Sequence, residues 1–162
     1  MIEYLDIVTP DDQIIGRASR EQIYAEKHIH RIVHVLLFTQ KNEIILQRRS
    51  ATVKFCPLHW CSSAAEHVQS GETWEQGAIR ECKEELDIYI VPKFAYKDLY
   101  DDGQGLIKLL TTFTATHDGP LNPSPREVES VKTFSISEIE KLLTGEEKIH
   151  PELAYILKKH YQ

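Results

Sequence analysis

The sequence predicts an α+β fold in which a β-sheet lies between helices as an α/β/α sandwich. Three observations carry this expectation. Strand-like apolar runs and capped helical runs alternate without the regular βαβ repeat of a doubly wound sheet. The 162 residues match the size of one core, so a single domain over residues 1–162 is expected, with 41% hydrophobic residues to fill it and 27% charged residues to cover it. The longest apolar strand, Ile32 to Thr39, lies well inside the chain, where a central strand belongs.

Taken in order, Glu3 to Val8 alternates like a strand, Pro10-Asp11-Asp12 turns, and a short strand near Ile14 ends at Gly16. Ser19 caps a brief helix through Ala25. Ile32 to Thr39 and Ile44 to Arg48 flank a turn at Lys41-Asn42, a hairpin in the centre of the sheet. A loop with Phe55, Pro57 and Trp60 leads to a strand at Cys61 to Ala65, and the signature helix follows. Tyr89 to Lys97 and Leu106 to Thr116 have strand character on either side of the polar turn Asp101-Asp102-Gly103-Gln104-Gly105. Pro120, Pro123 and Ser124 mark a loop, and Val128 to Phe134 is a last strand. Ser137 caps a helix through Leu143, and Pro151 opens a final helix to about Tyr161.

The net charge of −6 argues against non-specific grip on a nucleic acid polymer or an anionic membrane. No apolar run approaches the roughly 20 residues of a membrane span, and MIEYLDIV has neither a basic region nor a cleavage site, so a cytoplasmic location is expected. Cys56, Cys61 and Cys82 are an odd set, which favours reduced thiols. Cys56, His59 and Cys61 lack the second half of a zinc knuckle.

The chemistry concentrates in EHVQSGETWEQGAIRECKEELDI, Glu66 to Ile88. On a helix Glu81, Glu84 and Glu85 fall on one face, beside an apolar stripe of Ala78, Ile79, Cys82 and Leu86. Carboxylates so close raise each other's pKa unless a cation shares them, and a hard divalent ion such as Mg²⁺ or Mn²⁺ wants such oxygen ligands.

The order of residues resembles the signature of the Nudix hydrolases: Gly, five residues, Glu, seven residues, Arg-Glu, an aliphatic, any residue, Glu-Glu, any residue, Gly, an aliphatic. Glu72, Arg80, Glu81, Glu84, Glu85 and Ile88 match, with Cys82 in the aliphatic slot. Glu66 and Asp87 stand where the signature has glycine. Asp tolerates the left-handed conformation that ends a helix, whereas Glu66 puts a charge into a loop that normally lets backbone approach the substrate. The outer phrases LDIVTPDDQIIGRASR, Ile29-His30-Arg31 and Gln47-Arg48-Arg49 resemble the branch that contains isopentenyl diphosphate isomerase and related hydrolases.

The resemblance implies a Nudix fold with a mixed sheet, and hydrolysis of a diphosphate linkage, in a nucleoside diphosphate joined to another moiety or a related small diphosphate. It implies Glu81 and Glu85 as core metal ligands and Glu84 as a further one, with Glu81 or a glutamate of a later loop as the base. Arg80 orients a neighbouring carboxylate, Glu72 supports it from the loop, and Arg48 and Arg49 jointly are candidates for binding phosphate. Glu127 and Glu129 are the candidates for a loop-borne base. The same resemblance implies a second divalent-metal site at His30 and His67; Glu66 beside them would complete an N,N,O set, which suits Zn²⁺ or another transition metal. Two rival readings are an isomerase and a catalytically silent binding module. Against the first, Ala65 occupies the place of the isomerases' cysteine, and a residue within Lys108-Leu109-Leu110 replaces their later glutamate. Against the second, the metal-holding residues and Arg80 are all kept.

Overall fold

In the computed structural model, which describes residues 1–162, β1 (Tyr4–Val8) and β2 (Ile14–Ser19) form a separate antiparallel pair. α1 (Arg20–Glu26) follows, with Ser19 as its N-cap in a capping box with Gln22. The remaining strands are β3 (His30–Phe38), β4 (Ile44–Arg49), β5 (Trp60–Cys61), β6 (Ala64–His67), β7 (Lys93–Asp101), β8 (Ile107–Thr116) and β9 (Val128–Phe134). They build one mixed seven-stranded sheet in which β3 and β8 run parallel and the other pairs are antiparallel. α2 (Trp74–Leu86) packs on one face, and α3 (Ile136–Thr144) with α4 (Pro151–His160) on the other, which is the sandwich expected.

The nearly continuous apolar run of β3 is explained by burial on both faces. Ile32 and Leu36 join the core under α3 and α4, while Val33, Val35 and Leu37 join the core under α2 with Ala78, Cys82 and Leu86. Period-two alternation divides one strand between two cores, so no polar face is left for the sequence to show.

The expected central hairpin is only partly formed. β3 and β4 pair at Leu37↔Ile45 and Phe38↔Ile44 and then separate. Into the gap between them enters the segment 60–67, its first half pairing with β4 and its second half with β3. Ser62 and Ser63 sit at the crossing, where the ladders part. The amide of Leu37 donates to Ser63 Oγ at 2.8 Å, Ser63 in turn donates to the carbonyl of Ile45, and Ser62 Oγ meets His34 Nδ1 at 2.8 Å. The Ser63 hydroxyl thus satisfies backbone groups that a continuous ladder would have paired, while Ser62 serves the buried His34 ring.

Other boundaries shift for local reasons. The strand expected at Tyr89 begins only at Lys93, since Pro92 has no N–H to donate and Tyr89 and Val91 are exposed. Gly16 continues β2, paired with Ile7, where an end was expected. Ser135 caps α3 where Ser137 was expected: Phe134 is the last paired residue of β9, so Ser135 is the first free to turn, and it forms a capping box with Glu138. No helix is long and apolar enough to cross a membrane.

The turn of the first hairpin is fixed to the rest through Asp12, whose φ of 64° places it in the left-handed region. Its carboxylate accepts from Arg31 Nε at 2.6 Å, Trp74 Nε1 at 2.9 Å and Lys97 Nζ at 2.6 Å. Arg31 and Lys97 also lie against the Trp74 ring, at 5.4 and 5.2 Å from its centre. Asp12→Asn keeps the backbone preference and removes the charge. It should cost about 1–3 kcal/mol in urea unfolding, and an unchanged midpoint would show that the cluster does not anchor the hairpin.

Candidate active site

α2 begins at Thr73, whose side chain accepts from the amide of Gln76 in a capping box, and ends at Asp87, whose φ of 56° is the left-handed cap that the sequence led one to expect. α2 lies on the sheet with Gly77 facing it, where a Cβ would make ordinary contacts of 3.4 Å with Val68 and 3.7 Å with Val33. This seating turns Glu81 and Glu85 inward, at 2% and 5% exposure, and leaves Glu84 largely in solvent.

Arg80 ties this face together. Its guanidinium donates to both carboxylate oxygens of Glu72, to Glu81, to Glu84 at 3.4 Å and to the carbonyl of His67 at 3.1 Å. Glu72 also accepts from the amide of Gln69 at 2.9 Å, so it joins the loop before the helix to Arg80. Glu85 has no cationic partner. It accepts from the amide of Gln47, which also donates to the carbonyl of Ser63 at 3.0 Å.

The electrostatic result is a surplus of buried negative charge. Burial, with Glu66 and Glu84 nearby, pushes Glu81 up to about 8 despite Arg80. Burial and the charge of Glu81 raise Glu85 well above the usual carboxylate range. Glu127 is raised by its own burial and by Glu66 and Glu84. The loop that carries Glu127 is tied to the helix end by the amides of Asn122 and Ser124, which donate to Leu86 and Glu85 carbonyls at 3.0 and 2.8 Å. Glu129 instead faces Arg48 at 3.4 Å on the surface.

Beside this face lies a cavity of about 240 Å³ lined among others by Arg20, Tyr24, Arg49, Glu66, Lys108 and His150. Glu66 belongs to both regions. Burial would raise its pKa, yet the contact with His67 holds it at about 2. Arg49 lines the cavity and donates to the carbonyl of Phe55, whereas Arg48 bonds the carbonyl of Leu58 beside Glu129; strand alternation separates the pair that the sequence could not divide. Phe55 is exposed at the cavity and meets His150 edge-on at 5.4 Å, while Trp60 is buried against Phe134 as packing.

His30 and His67 are adjacent but do not converge on a common point with Glu66. Their rings stack with centres 5.5 Å apart and 22° between planes. His67 Nε2 meets the Tyr24 hydroxyl at 2.7 Å, whereas its Nδ1 lies beside the Glu66 carboxylate without making a hydrogen bond. His30 Nδ1 meets the carbonyl of His28 at 3.0 Å, and its Nε2 has no partner. Lys108 adds a positive charge whose influence reaches His30. As the side chains stand, no three His, Cys, Asp or Glu are grouped around one point, either here or on α2, where Arg80 reaches in among the carboxylates. The cysteines are free, Cys56 lies apart from any ligand set, and burial pushes Cys61 up to about 12.

The sequence reading missed Gln47 and the floor of the cavity. Lys108 is a lysine inside the apolar strand β8, His34 a histidine inside β3, and Glu152 an acid in the first turn of α4, all buried. Lys108 Nζ donates to Glu152 at 2.7 Å and His34 Nε2 lies 2.9 Å from its other oxygen. A charged residue interrupting an apolar run was the available signal, since buried charges need partners.

His150 caps α4 by accepting the amide of Glu152 at 3.2 Å on Nδ1. Burial lowers its pKa from 6.5 to about 4, as it does for His30. The folded chain therefore refuses protons that the unfolded chain takes up: this stability is full above pH 6.5 and falls as pH drops toward 4, by about 1.4 kcal/mol per pH unit for each histidine. His150→Asn keeps a capping acceptor and should reduce the slope of unfolding free energy between about pH 6 and 5 by most of one proton's worth. An equal slope in parent and variant would refute a neutral, buried His150.

A profile for the NUDIX domain matches residues 28–156. Among curated proteins, an uncharacterized Nudix hydrolase of Streptomyces coelicolor is 33% identical over 128 residues, covering 78% of this chain and 71% of the relative. The isopentenyl-diphosphate Delta-isomerase 1 of Photorhabdus laumondii is 25% identical over 172 residues, covering 99% and 98%. A crystal structure of a Deinococcus radiodurans protein superimposes with a TM-score of 0.83 at 22% identity, covering 99% of this chain and all of that one.

Proposed function

Because this chain belongs to the Nudix family, as a hydrolase of phosphoric anhydrides, we propose that it cleaves the diphosphate linkage of a small molecule with the help of Mg²⁺ or Mn²⁺ held by Glu81, Glu85 and Glu84. The observation that supports this reading is the uncompensated charge at Glu85: a buried carboxylate beside a second, with only a neutral amide as partner. An all-oxygen set of this kind suits a hard cation. When bound, such an ion would neutralise the anhydride oxygens and lower the pKa of the attacking water.

The chain's own residues supply the rest. Arg80 offsets part of the burial cost of ionising Glu81 and holds it turned inward, with Glu72 fixing the guanidinium from the loop. Gln47 orients Glu85. Arg49 stands at the cavity where the substrate's phosphates would need a cation, and Arg48 does not share that role. Glu81 and Glu127 are the two groups placed to accept the proton of water; Glu127 bears on the carboxylate cluster, and Glu129 does not. His30, His67 and Glu66 serve in this reading as a wall of the cavity, since the two stacked rings and the Glu66 carboxylate are not grouped around one point.

Glu85→Gln removes one ligand and one buried charge. It should lower Mg²⁺-dependent phosphate release by at least about 100-fold, which corresponds to about 2.7 kcal/mol, while the melting temperature holds or rises. Activity within about threefold of the parent would dismiss the metal assignment.

The isomerase reading lacks an acid. Ala65 lines the cavity beside Glu66 and can neither give nor take a proton. Incubation of the protein with isopentenyl diphosphate in deuterated water and Mg²⁺ should leave the substrate unlabelled; incorporation that vanishes in Glu81→Gln would replace hydrolysis by isomerisation.

A further inference from the structure

We propose that Gln47 determines which ion the α2 carboxylates take: by holding one oxygen of Glu85 it leaves a single oxygen for coordination, which favours Mg²⁺ or Mn²⁺ and disfavours Ca²⁺. This inference rests on the proposed function for the presence of an ion at Glu81 and Glu85, and otherwise on the hydrogen bonds around β4.

Gln47 is a fixed group. It lies on β4 opposite Cys61 of β5 on one side and Val131 of β9 on the other, 3% exposed. Its side-chain nitrogen carries two hydrogens and has two acceptors, the carbonyl of Ser63 at 3.0 Å and Oε2 of Glu85. Turning the amide over would set its oxygen against both of those oxygens and leave them without a donor, so its orientation follows from its partners. The sheet therefore holds the amide, and the amide holds Glu85.

The two buried carboxylates are restrained alike. Arg80 donates to Oε1 of Glu81, as Gln47 does to Oε2 of Glu85, and no protein group donates to the second oxygen of either. The sealed side-chain atoms without a partner are His30 Nε2, His67 Nδ1, Thr111 Oγ1 and Thr112 Oγ1. Glu81 Oε2 and Glu85 Oε1 are not among them, so each opens toward solvent. Each carboxylate thus offers one oxygen and keeps the other for the protein.

The choice of a neutral donor matters at Glu85. A cation at position 47 would hold Oε2 as firmly but would cancel the charge that attracts a metal ion, whereas an amide restrains the carboxylate and leaves its charge whole. A hydrocarbon there would free Glu85 to turn both oxygens toward an ion. That freedom sorts cations. Mg²⁺ demands a near-ideal octahedron that single carboxylate oxygens and water complete, while the larger Ca²⁺ gathers roughly 6–8 oxygens and readily takes both from one carboxylate. A glutamate with one oxygen held suits the first ion and deprives the second.

The test reads binding of metal alone, so it is independent of turnover. Binding of Mn²⁺ to the whole chain is followed by the paramagnetic resonance of the free ion, with Mg²⁺ or Ca²⁺ titrated as competitor. Gln47→Met keeps the length of the side chain and removes its donor. It should raise the ratio of Ca²⁺ to Mg²⁺ affinity by about fivefold or more over the parent, a change that mere loosening of the site, which weakens both ions, does not produce. Isotope-edited infrared spectra of the glutamates supply a readout in the parent itself: the two carboxylate stretching bands lie far apart for one coordinating oxygen and close together for two. The Glu85 bands, assigned by their loss in Glu85→Gln, should stay far apart in the parent with either ion and draw together in Gln47→Met with Ca²⁺. A ratio within about twofold of the parent, or bands drawn together in the parent with Ca²⁺, overturns the inference. Mn²⁺ binding that Glu85→Gln leaves unchanged refutes the proposed function and this inference with it; binding lost in Glu85→Gln beside an unchanged ratio in Gln47→Met refutes this inference alone.

Discussion

The separation of β3 from β4 is the constraint on which the site depends. Two strands joined by a short turn would ordinarily stay paired, and here they share contacts only at Leu37↔Ile45 and Phe38↔Ile44. The gap admits residues 60–67, and from its edges come Gln47, Ser63, Ala65, Glu66, His67 and His34. Were the ladder continuous, Gln47 would have a backbone neighbour in β3 and the loop before α2 would be displaced from the carboxylates. The hydroxyl of Ser63 makes the opening tolerable by linking the Leu37 amide to the Ile45 carbonyl in place of a lost ladder bond.

Crowding of carboxylates is the second constraint, and Arg80 limits its cost. Its fork joins residues eight positions apart, Glu72 and Arg80 itself, and reaches a third acid at Glu81. Lysine has the charge but lacks the planar geometry to serve several carboxylates and a carbonyl at once. Asp87 at the far end shows how a departure from the glycine pattern is absorbed: it adopts the left-handed cap and pairs with Lys83 and Asn122. Glu66 is absorbed differently, through His67 and its own chain neighbour's amide.

The sheet, the helices and the face of α2 were legible because period and capping are local. Glu81, Glu84 and Glu85 share a face by spacing alone, and Thr73 and Ser19 sit where capping rules put them. The division of Arg48 from Arg49 was not legible, since alternation tells that they differ and not which one faces the cavity. The splayed hairpin was also hidden: Lys41-Asn42 reads as an ordinary turn, and the competing partners of β4 lie far away at Val128–Phe134. Glu152 is 44 positions from Lys108 and 118 from His34, so no local pattern announces their contact.

α4 has a consequence for how such a protein can change. The carboxylates proposed to hold a metal ion belong to Glu66–Ile88, while the cavity floor is furnished by His150 and Glu152 at the start of α4 and by Lys108 on β8. On the proposed reading, the chemistry and the cavity floor are thus written in separate stretches of chain, and substitutions at positions 108, 150 and 152 leave the carboxylates of α2 untouched. This separability lets one scaffold diversify its substrates without re-evolving its reaction.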